Sequence, residues 1–277
     1  MSMDVKSALI KNDFKFQKRY GQNFITDKNF LSSIVEKSGV MESDIVVEIG
    51  AGAGTLTSAL AAKAKKVVAF EIDRSLMPVL EETLSEFDNV ELVFGDFMKL
   101  GDVSERVPAG YKVVANLPYY ITTPVLFKLI EEAAVKPQSI SVMVQKEVAD
   151  RLCAKEGSKD YGALTVSVGA FYEAKKIIDV SRTMFYPVPN VDSAVVLMKL
   201  RETEIPENPA LFSRVVRAAF AMRRKTLVNN LMASLSLPRE TCERVLEECG
   251  LSSTVRGEAL SRKEFLALAE SLQSFIR

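Results

Sequence analysis

The chain reads as an α/β protein, a mainly parallel sheet covered by helices and followed by a smaller all-helical domain. Three features predict this. β-rich runs alternate with helical patterns through the first half, as crossover-connected parallel strands require. The first such run breaks into closely spaced glycines and then a helix-prone stretch. Beyond Leu200 only helical periodicities remain. At 277 residues and 48% hydrophobic, the chain can fill one substantial core and a smaller appendage.

In chain order, residues 1–22 are basic and lack an apolar period, and read as an arm that orders only on binding. The run Ile-Val-Val-Glu-Ile-Gly at 45–50, the glycines at 50, 52 and 54, and Leu56 to Lys66 read as strand, tight turn and helix. Further β-rich runs fall at 66–72, 90–94, 112–115, 140–145, 164–171 and 191–200. The last of these have little helix between them, so the far edge of the sheet should contain an antiparallel hairpin. Two prolines among the acids of 204–209 mark a boundary, and helices are expected at about 210–221, 225–234, 238–248 and 261–274. Gly250 suits the end of the third, and Ser261 with Glu264 has capping-box spacing at the start of the fourth. The expected division is a basic arm at 1–22, a catalytic domain at 23–203 and a helical domain at 204–277.

Composition excludes more than it selects. Lysine plus arginine balance aspartate plus glutamate at 36 each, so a polyanion site must come from local clustering. No run approaches the roughly 18 apolar residues of a membrane span, and the lysine-bearing opening lacks the apolar centre of a secretory signal, so a cytoplasmic location is expected. Cysteines at 153, 242 and 249 are odd in number and lack metal-ligand spacing, which argues for reduced thiols and no metal. There is no histidine at all, which removes histidine-activated nucleophiles and histidine-ligated metals. Group transfer from an already activated cofactor fits that restriction, because the protein then supplies position and hydrogen bonds.

The candidate chemistry gathers at strand ends. Glu48-Ile-Gly-Ala-Gly-Ala-Gly54 sits on the first strand-to-helix turn, where Gly50 and Gly52 let a ligand approach the backbone. Gly54 and Thr55 depart from the dinucleotide fingerprint, which wants a small residue at position 55. Glu71, 21 residues after Gly50, ends the next strand where an acid can accept ribose hydroxyls. Asp96 ends the one after, with Ile72 and Phe97 beside these acids as candidate walls for an adenine ring. The plainer alternatives are a solvated strand-end charge for Glu71 and a turn residue for Asp96. The fourth strand ends in Asn116-Leu117-Pro118-Tyr119-Tyr120, a polar residue, a stiffened turn and aromatics. Read alone, it could be a proline turn with core aromatics.

Asn-Leu-Pro-Tyr following Glu-Ile-Gly-x-Gly-x-Gly closely resembles the ribosomal RNA adenine dimethyltransferases of the kasugamycin-sensitivity type. The resemblance extends through Tyr20-Gly-Gln-Asn-Phe24, Gln145-Lys-Glu-Val148, Ser158-Lys-Asp-Tyr-Gly162, Phe185 with Pro187 and Pro189, Val191-Asp-Ser-Ala-Val195 and Phe220 to Leu231, nearly the whole chain. Ile25, Ala51 and the Arg256 to Leu260 segment depart slightly from the family's usual residues, away from the chemistry.

The resemblance implies a Rossmann-like, S-adenosylmethionine-dependent methyltransferase that dimethylates N6 of two adjacent adenosines near the 3′ end of small-subunit (16S) ribosomal RNA. It implies action late in small-subunit biogenesis, on a pre-ribosomal 30S-type particle, as a monomer without metal or membrane. Asn23 and Ile25 would form a lid on the cofactor, Gly50 its methionine-side turn, Glu71 its ribose contact and Asp96 its adenine contact. Asn116 would touch both cofactor and target amine. An adenine amine is a poor nucleophile because its lone pair is delocalised. Hydrogen bonds to the Asn116 oxygen and to a main-chain carbonyl at Leu117 or Pro118 would localise that pair, while Tyr119 and Phe185 sandwich the base.

Arg214, Arg217, Arg223, Arg224 and Lys225 carry no acid among them. Placing 214, 217 and 224 on one helix face makes them candidate phosphate contacts, together with Lys11, Lys15, Lys18 and Arg19 of the arm. A solvated helix face is the plainer alternative. Two rival functions remain open: a resistance-type methyltransferase acting on large-subunit RNA, and a ribosome-assembly checkpoint factor with secondary catalysis.

Overall fold

The computed structural model describes residues 5–17 and 20–276. Lys18 and Arg19, two of the arm's candidate phosphate contacts, lie outside the described residues. In chain order the principal elements begin with α1 (Val5–Lys11), β1 (Phe24–Ile25), α2 (Lys28–Lys37), β2 (Ile45–Ile49), α3 (Thr55–Ala61), β3 (Lys66–Glu71), α4 (Met77–Thr83) and β4 (Val90–Phe94). They continue with β5 (Lys112–Asn116), α5 (Thr122–Phe127), β6 (Ser139–Gln145), α6 (Lys146–Leu152), α7 (Ala163–Phe171), β7 (Tyr172–Val180), β8 (Phe185–Tyr186) and β9 (Ser193–Leu200). Four helices close the chain: α8 (Pro209–Ala219), α9 (Leu227–Leu235), α10 (Arg239–Glu248) and α11 (Arg262–Leu272).

Seven strands form one sheet in the order β4-β3-β2-β5-β6-β9-β7. The pairs β3·β4, β2·β3, β2·β5 and β5·β6 are parallel, and β9 runs antiparallel to β6. The change of strand direction expected toward the far edge is present at β9, but its antiparallel partner β6 is distant in sequence rather than the other arm of a hairpin. The Val- and Ile-rich cores of β2, β3 and β5 are buried on both faces, as parallel strands between helix layers must be. From β2 the chain first builds outward through β3 and β4, then returns to the other side of β2 with β5 and β6. That reversal opens a crevice beyond the carboxyl ends of β2 and β5, where sheets of this type hold ligands. Gly50, Glu71, Asp96 and Asn116 all stand at or just beyond that edge.

The run at 164–171 is not a strand. It lies in α7, which is buried on nearly every side, so it has no polar stripe and its Val and Thr mimic a strand run. The strand is β7, whose charged Glu173 and Lys175 alternate with more buried neighbours.

The arm is also not free. Its α1 buries Ala8 and Leu9, and Phe14 and Phe16 pack on the core cluster that contains Phe24. The ring centroids of Phe14 and Phe16 lie 5.5 Å apart, and those of Phe16 and Phe24 5.6 Å apart. The ion pair of Lys11 with Glu82, and Asn12 donating to Glu82 at 3.1 Å, add polar ties. The scattered apolar residues at 8, 9, 14 and 16 do this work without a helical period, which is why the sequence reads as an arm.

By mutual contact the chain forms two compact units, residues 1–149 with 175–200, and residues 150–174 with 201–277. This grouping differs from the division at 203/204 expected from the sequence in that residues 150–174 cluster with the C-terminal helices. Within that second unit the Tyr161 ring meets Phe220, and Phe220 stacks on Phe265 at 5.7 Å. The Tyr161 hydroxyl donates to the Leu260 carbonyl at 2.7 Å, and Arg201 Nε donates to the Gly169 carbonyl at 3.0 Å. The Ser261–Glu264 capping box and the left-handed Gly250 after α10 are both present. No helix among the described residues is long and apolar enough to cross a membrane.

Candidate active site

The turn after β2 is folded by the neighbouring strand, since the amides of Gly50 and Ala51 both donate to the Phe70 carbonyl, at 2.8 and 3.0 Å. Gly52 has φ +58° and lies so close to Phe24 that a Cβ there would sit 2.8 Å from the ring. Only glycine satisfies both constraints. Its amide donates to Glu71 Oε2 at 2.7 Å, and the Asp73 amide donates to Glu71 Oε1 at 2.7 Å. Glu71 therefore clamps the glycine turn to the loop after β3, and each oxygen retains a second lone pair for a ligand hydroxyl. Burial pushes its pKa up, opposed by backbone hydrogen bonds from Asp73, Gly52 and Ile72. Asp73 in turn accepts from Gln22 at 2.7 Å and Gln17 at 3.2 Å, so the N-terminal segment is fastened to the same corner.

Asp96 takes the turn position that was the plainer of its two readings. Its Oδ1 caps a short turn by accepting from the Met98 amide at 3.0 Å, while Oδ2 lies 3.8 Å from Lys99 Nζ. Phe97 is buried with its edge against Phe70 at 5.3 Å, and Ile72 is 42% exposed.

At the end of β5, Asn116 Nδ2 donates to the Asn23 main-chain carbonyl at 3.2 Å. With the amide nitrogen so engaged, Oδ1 is the atom left to accept. Leu117 is buried, and the Tyr119 hydroxyl shares a 2.8 Å hydrogen bond with Ser193 Oγ, which pins the ring. Phe185 is brought in by a device that the sequence did not reveal. Strands β1 and β8 form a separate antiparallel pair in which Ile25 faces Phe185 and Phe24 faces Tyr186. The residues expected to cover the cofactor and the aromatic expected to hold the base are thus one ribbon.

One cavity of about 250 Å³ is lined by Asn23, Ile25, Gly50, Gly52, Glu71, Ile72, Asp96, Phe97, Asn116, Leu117, Pro118, Tyr119 and Phe185. Every residue expected at the cofactor or the target base meets there.

The same cavity is lined by Glu48, a residue that the sequence reading passed over. It is 1% exposed, its Oε2 has no hydrogen-bond partner among the described residues, and burial raises its pKa to about 8. Thr57 opposes that rise and the nearby Glu71 adds to it. An acid in the middle of the apolar run Ile-Val-Val-Glu-Ile was the available signal.

The five basic candidates between Arg214 and Lys225 lie in the second unit. Arg214 and Arg217 are exposed on α8, but the helix ends at Ala219, so Arg224 does not continue their face. Arg223, Arg224 and Lys225 instead form an exposed loop before α9. Among the described residues no group of acids and cysteines could hold a metal ion.

A seven-stranded sheet of this order, with a glycine turn after β2 and acids at the next two strand ends, defines the Rossmann-like methyltransferase class. Residues 13–274 match the family described as ribosomal RNA adenine dimethylase, and the chain belongs to that family. It is 46% identical to the ribosomal RNA small subunit methyltransferase A of Bacillus licheniformis, over 98% of this chain and 96% of that one. It is 45% identical to the protein of the same name from Geobacillus thermodenitrificans, again over 98% and 96%. Among solved structures, a dimethyladenosine transferase from Plasmodium falciparum superposes with a TM-score of 0.79 at 29% identity, covering 91% of this chain and 98% of that one. The 23S rRNA methyltransferase ErmE superposes with a TM-score of 0.67 at 27% identity, covering 90% and 99%.

Proposed function

We propose that this protein uses S-adenosylmethionine to dimethylate N6 of two adjacent adenosines near the 3′ end of small-subunit ribosomal RNA, acting in the cytoplasm as a monomer on a late 30S-type particle. The observation that carries the reading is the convergence of Gly52, Glu71, Asp96, Asn116, Tyr119 and Phe185 on one cavity, in a chain of the adenine dimethylase family.

The pocket suits this cofactor on its own terms. Carboxyl groups of Glu48, Glu71 and Asp96, rather than a pyrophosphate cradle, line the cavity, and Glu48 Oε2 has no hydrogen-bond partner among the described residues. Glu71 is assigned to the ribose, Asp96 to the adenine amine, Phe97 and Ile72 to the ring, and Asn23 and Ile25 to the cover. The bound cofactor supplies a methyl group made electrophilic by its sulfonium. The protein's own task is to hold the target amine with its lone pair localised, through Asn116 Oδ1 and a carbonyl of the Leu117–Pro118 turn, between Tyr119 and Phe185. Arg214, Arg217, Arg223, Arg224 and Lys225 are assigned to RNA phosphates.

A large-subunit substrate is the less favoured reading, because the whole-length likeness at 45–46% is to small-subunit methyltransferases, whereas ErmE stands at 27%. The test is incubation with labelled cofactor and unmethylated small subunits, large subunits or DNA, followed by mass-spectrometric mapping. Label on paired adenosines of the small subunit alone is expected. Label on the large subunit alone would replace this reading with the resistance-type one.

Glu71 carries its own prediction. Glu71→Ala weakens cofactor binding by about 1.5 to 3 kcal/mol, the range for a hydrogen bond to a charged group. The loss includes slackening of the Gly52 turn, whose amide then has no carboxylate to meet. Calorimetry on the folded variant checks this, and an unchanged affinity removes Glu71 from the site.

A further inference from the structure

The basic segment after α8 is exposed and irregular, yet one buried side chain dictates its backbone. Asn230, on the first turn of α9, is 1% exposed, an unusual position for an amide that must find partners for all its polar atoms. It finds them in this segment. Asn230 Nδ2 donates to the Ala219 carbonyl at 2.7 Å and to the Met222 carbonyl at 3.2 Å, and Asn230 Oδ1 accepts from the Met222 amide at 3.2 Å. The amide thus replaces the partners that backbone groups lose where α8 stops.

The rest of the loop follows from that clip. The Lys225 amide donates to the Met222 carbonyl at 3.0 Å, closing a turn around Arg223 and Arg224. Arg223 leans back to donate to the Lys159 carbonyl at 3.0 Å, which brings the 155–160 loop alongside. Thr226 then caps α9 by accepting from the Asn229 amide.

We propose that Asn230 is the positioning residue of the RNA interface: its buried amide holds residues 219–225 in the one shape that presents Arg223, Arg224 and Lys225 together to RNA phosphates. The inference rests on the assignment of these three side chains to RNA. It adds the reason they act as a unit, since a loop of three cations without a clip would have to be ordered when RNA binds, and that ordering weakens binding.

The test compares wild type, Asn230→Ala, the triple variant Arg223→Ala/Arg224→Ala/Lys225→Ala, and the two combined. Small-subunit binding is measured across salt concentration, and amide exchange is followed at Met222 and Lys225. Asn230→Ala is expected to speed exchange at those amides and to weaken binding by roughly tenfold, with a salt slope shallower by about one phosphate contact. Cofactor affinity and the methyl-transfer rate at saturating subunits stay at their wild-type values.

The combined variant is expected to bind no more weakly than the triple variant, because positioning has no consequence once the positioned groups are gone. Additive losses would instead mark general damage and overturn the proposal. So would wild-type affinity and slope in Asn230→Ala. If the triple variant itself binds normally, the RNA assignment falls, and the positioning role with it. Asn230→Ser, which keeps a shorter donor and acceptor, is read in the same way should the alanine variant fail to fold.

Discussion

Asn116→Ala lowers the single-turnover rate of methyl transfer by about 100-fold or more, the effect of losing one preorganised hydrogen bond in the transition state. RNA affinity falls far less. The structure sharpens the reason. The Asn116 amide nitrogen donates to the Asn23 carbonyl, which leaves the oxygen as the atom that, on the proposed mechanism, accepts from the target amine. Asn116→Asp keeps an acceptor oxygen but loses the N–H that meets Asn23, so its rate should lie between those of alanine and wild type. Because the oxygen orients the amine rather than removing its proton, the wild-type rate should be nearly flat from pH 6 to 9 with cofactor and subunits saturating. A rate that climbs tenfold per pH unit across that range would show that deprotonation precedes transfer, and the mechanism would have to be abandoned.

The second large effect concerns Glu48 and is one of stability. Its carboxyl has a folded-state pKa of about 8 against an ordinary 4.5, so the folded protein holds this proton more tightly than the unfolded chain does. The stabilisation is fully present below pH 4.5 and is lost as pH rises through 8. Within that window each pH unit costs about 1.4 kcal/mol from this group. For a chain of this size, each kcal/mol moves the melting temperature by roughly 2 to 4 °C. Glu71, also raised by burial, acts in the same direction. Glu48→Gln, which is neutral at every pH, should lose most of the decline between pH 5 and 8 and should be more stable than wild type at the alkaline end. Parallel melting curves for the two proteins across that range would contradict the buried neutral acid.

Much of this was legible in the sequence because it is written in local chemistry. Strands β2 to β6, the glycine turn, the acids at 71 and 96 and Asn116 follow from short apolar runs and from what ends them. What was illegible depends on contacts between distant segments. The run at 164–171 looked like a strand because a helix buried on all sides keeps no polar stripe. The arm looked unanchored because Phe14 and Phe16 pack through tertiary contacts rather than through a period. Arg224 was set on the face of Arg214 and Arg217 although it lies past the expected end of that helix, and nothing local announces how the chain runs once α8 stops at Ala219. Asn230, 11 residues further on, holds the chain beyond that stop. Glu48 was hidden for the opposite reason, being one polar residue inside a run that otherwise fits a buried strand.

The two-residue ladder between β1 and β8 ties two walls of the cavity to each other. Residues 23–25, proposed as the cover of the cofactor, and Phe185, proposed as a wall for the base, are joined by main-chain pairing of Ile25 with Phe185 and Phe24 with Tyr186. Lifting the cover far enough to exchange a spent cofactor either carries Phe185 with it or breaks the pairing and leaves its amides and carbonyls in need of water. Two methyl groups on one nitrogen need two cofactor molecules. On the assignments proposed above, renewing the cofactor between the two transfers would disturb the wall assigned to the half-finished base.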